Sequence, residues 1–174
     1  MPEGFCGQCN GKCCTELSIY VTHRDIQRLA GKVHVHPTYF LNTIDGVEEV
    51  GYPLFQLDGK KVALALTRPN ERCVFLMDVA GMNRCGVQDA KPLVCAVYPF
   101  NLDEGDEIVH STPYKCPGRY WPSTQPDIWK TRAEIGKFRT EYEEFGKVVA
   151  SWNSRAEDQR KDFTKLVDFI MAWQ

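Results

Sequence analysis

The most informative segment of the chain is Cys6-Gly7-Gln8-Cys9-Asn10-Gly11-Lys12-Cys13-Cys14, which places four cysteines close together. Apart from Phe5, the residues around these thiols are polar or glycine, so the segment cannot form a hydrophobic core. Thiolates that converge on one point are what a thiophilic ion or an iron-sulfur cluster requires. The glycines allow positive φ and let main-chain amides approach sulfur. The segment therefore predicts metal or cluster ligation.

The adjacent pair Cys13-Cys14 is unusual for a metal site. Neighbouring side chains point in different directions in a helix or a strand, so we expect the two thiols to serve different partners. In the predicted arrangement, Cys6, Cys9 and Cys13 form one site with a distant thiol. Cys14 and the remaining late cysteines then complete a second site or bridge to the first.

The chain contains eight cysteines, an even number that first suggests disulfides. We favour metal ligation, because a chain of 174 residues can bury a core without disulfides. Residues 1–4 also lack the basic start and apolar run of a signal peptide, which predicts a cytoplasmic protein. The predicted ligands are Cys6, Cys9, Cys13, Cys14, Cys73, Cys85, Cys95 and Cys116. His34 and His36 are not predicted ligands, because eight thiols already fill two four-coordinate sites.

Composition and charge exclude several classes of function. The net charge of −2 gives no reason to expect binding to nucleic acid or to a membrane surface. The sequence has no apolar run long enough to span a bilayer. We therefore expect a redox or protein partner, with no nucleic acid and no membrane. The predicted organisation is a cysteine-cluster metal-binding domain over residues 1–120, with C-terminal amphipathic helices over 121–174 packed on the same domain.

The fold predicted from local patterns is α+β, with a small, mostly antiparallel sheet, flanking helices and a cysteine core organised by metal. Turn residues Asp58-Gly59 between two apolar runs predict a β-hairpin over residues 53–66. Apolar residues at helical spacing predict two helices, over 135–152 and 163–171. Residues 121–126 are predicted to form a linker.

Shorter elements are predicted around these. Alternation predicts a strand over residues 15–21, and Thr22 with Asp25 predicts a capping box for a helix that ends at Gly31. A helix is predicted to begin at Pro37. A buried strand over 73–77 and a turn at Gly81 are predicted to follow. The last predictions are a short helix that is capped by Asp89 and carries Cys95 at its end, and a strand at 108–109.

The cysteine set as a whole resembles the YkgJ-type cysteine-cluster family of proposed zinc- or iron-chelating proteins. The resemblance covers residues 6 to about 118. It rests on the CxxCxxxCC run, the motif Lys91-Pro92-x2-Cys95-x2-Tyr98-Pro99 and the segment Cys116-Pro117-Gly118. Family members often have arginine where this chain has Lys91 and Ala96. The resemblance implies that all eight cysteines are candidates for metal sites, and it relates the chain to flagellin lysine N-methylases, whose cysteine motif is thought to hold a [4Fe-4S] cluster.

Three functions are compatible with these observations. The first is a protein that binds an iron-sulfur cluster, of the [4Fe-4S] type that the resemblance implies, with a redox or accessory role. We favour it over the second, a zinc-binding structural or interaction module, because zinc ribbons use separated C-x2-C pairs rather than one tight cluster. The third is a cluster-dependent protein lysine N-methyltransferase. The expected cofactor is an iron-sulfur cluster, with Zn²⁺ as the alternative.

Overall fold

The computed structural model describes residues 11–45, 51–110 and 128–174. Cys6, Cys9, Cys116 and the predicted linker at 121–126 lie outside these residues. The helices of the described part are α1 (Lys12–Glu16), α2 (His23–Val33), α3 (Leu93–Val97), α4 (Ile128–Asn153) and α5 (Phe163–Ala172). The strands are β1 (Leu41–Asp45), β2 (Phe55–Leu57), β3 (Lys60–Leu66), β4 (Leu76–Val79), β5 (Met82–Cys85), β6 (Phe100–Leu102) and β7 (Ile108–His110).

These elements confirm the predicted α+β class with small antiparallel sheets. The chain divides into two compact units, of which the first contains Met1–Ile19 and Arg68–Arg139 and the second contains Tyr20–Thr67 and Thr140–Gln174. The predicted organisation into 1–120 and 121–174 stays a prediction. In the described part of the chain, none of the helices is both long and apolar enough to cross a membrane.

The second unit is built on a three-stranded antiparallel sheet in the order β1-β3-β2. The turn between β2 and β3 is formed by Asp58 and Gly59, with φ of 48° and 76°, and tight hairpin turns favour such positive φ values. This confirms the predicted hairpin. The central strand β3 is buried from Val62 to Leu66 without alternation, because elements cover both of its faces.

The C-terminal half of α4 packs on this sheet within the second unit. The ring of Phe145 meets that of Phe55 edge-on, with centroids 5.6 Å apart. The indole N–H of Trp152, which is completely buried, donates to the carbonyl of Gln56 at 2.9 Å. From residue 140 onward, the apolar face that the sequence predicts for residues 135–152 is therefore used as core in the second unit, and the prediction of a helix there is confirmed.

Helix α5 confirms the second predicted C-terminal helix, and side chains cap both of its ends. At its start, the carboxylate of Asp162 accepts hydrogen bonds from the backbone N–H groups of Thr164 and Lys165. At its end, the side-chain amide of Gln27 donates to the carbonyls of Ile170 and Trp173 at 3.0 and 2.8 Å. Since the last carbonyls of a helix have no partner within the helix, Gln27 joins α2 to α5.

Helix α2 begins as predicted, with a capping box between Thr22 and Asp25, but it does not end at Gly31. It continues to Val33, and His34 takes the left-handed C-cap position with φ of 55°. Glycine lowers helix stability without preventing a helical conformation.

Two other predictions in this part of the chain are wrong. The predicted strand over residues 15–21 is absent, because α1 extends to Glu16 and only Tyr20 forms a β-bridge, with Ala65. The predicted helix from Pro37 is a single 3₁₀ turn, Pro37–Tyr39, followed by β1. The apolar residues of the segment after Pro37 have helical spacing, but the pairing of β1 with β3 decides its conformation.

Two predictions in the first unit also need correction. The buried strand predicted over residues 73–77 begins only at Leu76, and its residues from Met77 to Val79 are exposed. The backbone N–H of Leu76 bonds the carbonyl of Cys73 at 2.9 Å, which makes residues 73–76 a turn. The predicted turn at Gly81, with φ of 78°, and the strand that includes residues 108–109 are confirmed.

The short helix around Cys95 is also shifted. It is α3, which begins after its N-cap residue Pro92, and no side-chain cap hydrogen bond is found there among the described residues. The prediction that Asp89 is the cap is therefore wrong. Pro92 explains the shift, because a proline disfavours the α-helical conformation of the residue before it, here Lys91, so the helix cannot run from Asp89 through Pro92. Cys95 lies in the middle of the helix rather than at its end.

His23 is an unusual residue of the second unit. Its side chain is completely buried, and neither ring nitrogen has a hydrogen-bond partner among residues 11–45, 51–110 and 128–174. The ring lies nearly parallel to that of Phe145, with centroids 6.1 Å apart. Burial is the main cause that lowers the pKa of His23 below 6.5. The charges of Arg24 and Arg28 also lower this pKa, whereas those of Glu144 and Glu141 raise it.

We expect His23 to make the stability of the protein depend on pH. Its pKa is lower in the folded state, so the unfolded state binds more protons in acid. The contribution of neutral His23 to the free energy of unfolding is complete above pH 6.5 and decreases as the pH falls below that value. Replacing His23 with leucine should reduce this decrease. Urea unfolding between pH 7.5 and pH 5 measures it, and an equal loss of stability in both proteins would contradict the expectation.

Candidate metal centre

Two of the predicted ligands lie on helix α1 of the first unit. The N-cap of this helix is Gly11, whose φ of 68° lies in the left-handed region that favours glycine. Cys13 and Cys14 follow, and their Sγ atoms are 4.0 Å apart. Sulfur atoms that bind one tetrahedral zinc ion at about 2.3 Å lie about 3.8 Å from each other. The distance therefore fits two thiolates on one ion, which differs from the expectation that the pair serves different partners.

A backbone hydrogen bond joins the early and late cysteines. The N–H of Cys73 donates to the carbonyl of Cys14 at 2.8 Å. Cys73 is buried, with 6% of its surface exposed, whereas Cys13 and Cys14 are half-buried. Residues that are distant in sequence are thus brought together within the first unit.

The β4-β5 hairpin adds Cys85 to this region. Cys85 pairs with Leu76 in the antiparallel register. The next residue, Gly86, donates its N–H to the carbonyl of Phe75 at 2.8 Å. Since Cys73 lies only two residues before Phe75, the hairpin holds the segment that carries Cys85 beside the segment that carries Cys73.

Gly11 also packs against this hairpin. A Cβ atom at position 11 would lie 3.1 Å from Cδ1 of Leu76 and 3.2 Å from Cβ of Asn83. Such distances are shorter than ordinary contacts, so a residue with a Cβ atom would require Leu76 or Asn83 to shift by a few tenths of an ångström. The glycines in the N-terminal run are predicted to supply positive φ, and Gly11 does so.

We expect alanine at position 11 to disturb the centre. The left-handed conformation alone costs about 1–2 kcal/mol for a residue with a Cβ atom, and the contact with Leu76 adds to this cost. The Gly11→Ala variant should unfold at lower urea concentration and bind Zn²⁺ more weakly in a chelator competition. The matched control is Gly31→Ala in α2, where a Cβ meets open space. The free energy of unfolding of this control should increase by about 0.5–1 kcal/mol, and its zinc affinity should stay the same. Equal behaviour of the two variants would contradict this account.

The thiols influence one another electrostatically. Burial is the main cause that raises the pKa of Cys73 to about 11, and the thiols of Cys85 and Cys13 contribute, while Arg68 acts in the opposite direction. A hydrogen bond with Cys14 is the main cause that raises the pKa of Cys13, and burial adds to it. The raised pKa values of Cys13 and Cys73 favour protonated thiols in the absence of metal, and a bound cation would favour the thiolate form.

None of the five cysteines of the described residues forms a disulfide with another of them. Within residues 11–45, 51–110 and 128–174, no group of three or more Cys, His, Asp or Glu side chains has an arrangement that would hold a metal ion as it stands. Ligation by Cys95 stays a prediction, as does ligation by Cys6, Cys9 and Cys116.

Comparison with known proteins adds the family. A family model described as "CxxCxxCC: Putative zinc- or iron-chelating domain" matches residues 5–117. The chain belongs to this family. Searches of curated proteins and of solved structures found no match. The description of the CxxCxxCC family supports metal binding in general, with either zinc or iron. The matched residues include all eight cysteines.

The type of the donor atoms fits such a metal, although the described side chains do not stand in a ligating arrangement. Thiolate sulfur suits zinc and iron-sulfur clusters rather than magnesium or calcium. Cys13, Cys14, Cys73 and Cys85 would supply four sulfur atoms from segments that the backbone already holds together. Sequence reasoning identified these residues by their type. It did not identify Arg68, whose guanidinium donates to the carbonyls of Thr15 and Glu71, because no motif or spacing in the sequence relates this arginine to the cysteines.

Proposed function

We propose that this protein binds an iron-sulfur cluster through the thiols of its N-terminal run and of its β4-β5 region, and that it has a redox or accessory role. The observation that carries the proposal is the hydrogen bond between Cys73 and Cys14, which joins two cysteine-bearing segments of the first unit. Cys13, Cys14, Cys73 and Cys85 are the proposed first ligands. A bound cluster would supply electron transfer.

The first unit offers this centre a buried thiol beside half-buried ones. Cys73 is buried, and Cys13, Cys14 and Cys85 are half-buried. Partial burial and hydrogen bonds to sulfur set the potential of a cluster. The cysteine side chains would supply the sulfur atoms, and the residues that bury them would limit the access of water.

A second candidate is a zinc-binding structural or interaction module. The 4.0 Å between the Sγ atoms of Cys13 and Cys14 favours it, because this is close to the separation that one tetrahedral ion requires. In this case the metal would stabilise the fold of the first unit and take no part in electron transfer. The methyltransferase reading rests on the family resemblance alone.

Chemical composition separates the two candidates. The experiment measures iron, zinc and acid-labile sulfide per chain after anaerobic purification of the full-length protein. Iron with matching sulfide and a brown colour supports the cluster. Zinc without sulfide overturns the cluster and supports the zinc module. A protein that contains neither metal, and takes up neither in the presence of a reductant, overturns both.

A further inference from the structure

Arg68 joins the two cysteine-bearing segments through its side chain. One guanidinium nitrogen, Nη2, donates to the carbonyl of Thr15 at 2.8 Å and to the carbonyl of Glu71 at 2.5 Å. Thr15 follows Cys14 in α1, and Glu71 lies two residues before Cys73. A single side chain thus spans the gap between the two segments, in addition to the backbone hydrogen bond from Cys73.

The turn that Arg68 contacts has an unfavourable backbone conformation. In the 3₁₀ turn Pro69–Glu71, Asn70 and Glu71 have φ of 51° and 61°. Two consecutive residues with side chains in the left-handed region cost about 1–3 kcal/mol each, and such conformations persist only where surrounding contacts hold them. The guanidinium is one such contact, because it donates a hydrogen bond to the Glu71 carbonyl.

The positive charge of Arg68 is also favourable near the proposed thiolates. Four thiolates around a divalent cation carry a net negative charge, which a nearby guanidinium stabilises. Arg68 is half-buried, so water screens this interaction less than it would at the surface. Lysine would keep the charge but would lack the planar group that donates in fixed directions.

We propose that Arg68 is a positioning residue of the thiolate centre. It fixes α1 to the turn before Cys73 and thereby sets the distance of the Cys13 and Cys14 sulfurs from the sulfur of Cys73. This inference rests on the proposed function only in requiring that these thiols bind a metal ion, whether iron or zinc.

The test uses Zn²⁺ and Co²⁺ as probes on the full chain, stripped of metal under reducing, anaerobic conditions. In the Arg68→Gln variant, zinc affinity measured by chelator competition should fall about 10- to 100-fold, as for other residues that orient metal ligands. The Co²⁺ complex should lose intensity in its sulfur-to-cobalt charge-transfer bands, which report the number of bound thiolates. Arg68→Lys should show a smaller loss in both. If Arg68→Gln does not fold, Arg68→Lys carries the test.

The matched control is Arg139→Gln, also in the first unit, because Arg139 likewise donates from Nη2 to a backbone carbonyl, that of Leu102 at 3.0 Å. It should keep the zinc affinity and the cobalt spectrum. The proposal for Arg68 is overturned if its variants lose stability but keep both readouts, since that describes a merely structural residue. If the unmodified protein shows no thiolate bands, the proposed function fails together with this inference.

Discussion

Replacing Cys73 with serine is expected to weaken zinc or iron binding more than 100-fold, which exceeds the 10- to 100-fold effect of residues that only orient ligands. The substitution exchanges one sulfur atom for oxygen in a buried position. Zinc and iron-sulfur sites prefer thiolate, and serine is not ionised at neutral pH. The backbone bond from residue 73 to the Cys14 carbonyl does not depend on the side chain, so the joining of the two segments should survive.

The measurement is the metal content of the purified variant, followed by chelator competition. Retained secondary structure, checked by circular dichroism, shows that the loss comes from the missing sulfur. The control is His34→Ala. His34 caps the end of α2 in the second unit and is not a predicted ligand, so metal content should stay the same. Loss of metal in the histidine variant, or full metal in the cysteine variant, would overturn this choice of ligands.

The structure agrees with the sequence-based predictions where local chemistry determines the conformation. The capping box of Thr22 and Asp25 and the turn at Asp58-Gly59 each depend on residues close in sequence. The helices α4 and α5 follow from the spacing of their apolar residues. For these features, the residues that stabilise the element are the same residues that form the sequence pattern from which it was predicted.

The predictions fail where distant contacts decide. The segment after Pro37 has helical spacing, yet β1 forms because β3 offers it hydrogen-bond partners more than fifteen residues away along the chain. The candidate site shows the same limit. Cysteine type and spacing predicted ligands, but the closeness of Cys73 to Cys14 arises from a turn and a hairpin that bring separate segments together. The contact of Arg68 with Thr15 spans a similar separation and leaves no pattern in the sequence.

In the second unit, we expect Arg28→Ala to have the largest effect on stability. Arg28 contacts the carboxylate of Asp25, and its Nη1 atom lies 2.9 Å from both carboxylate oxygens of Glu141. The two acidic side chains are only 1% and 11% exposed. Alanine would remove the cation that two buried carboxylates share, and breaking a buried ion pair in this way costs about 3–5 kcal/mol.

The matched control is Arg24→Ala on the same helix. Arg24 lies 3.8 Å from Glu144, and the two side chains are 39% and 45% exposed, so the loss should be about 0–1 kcal/mol. Urea unfolding at pH 7 compares the two variants. Added salt should weaken the contribution of Arg24 more than that of Arg28, because water and ions screen exposed charges more than buried ones. Similar losses in the two variants would mean that Asp25 and Glu141 are neutralised or solvated without Arg28, and the buried network would then not stabilise the second unit.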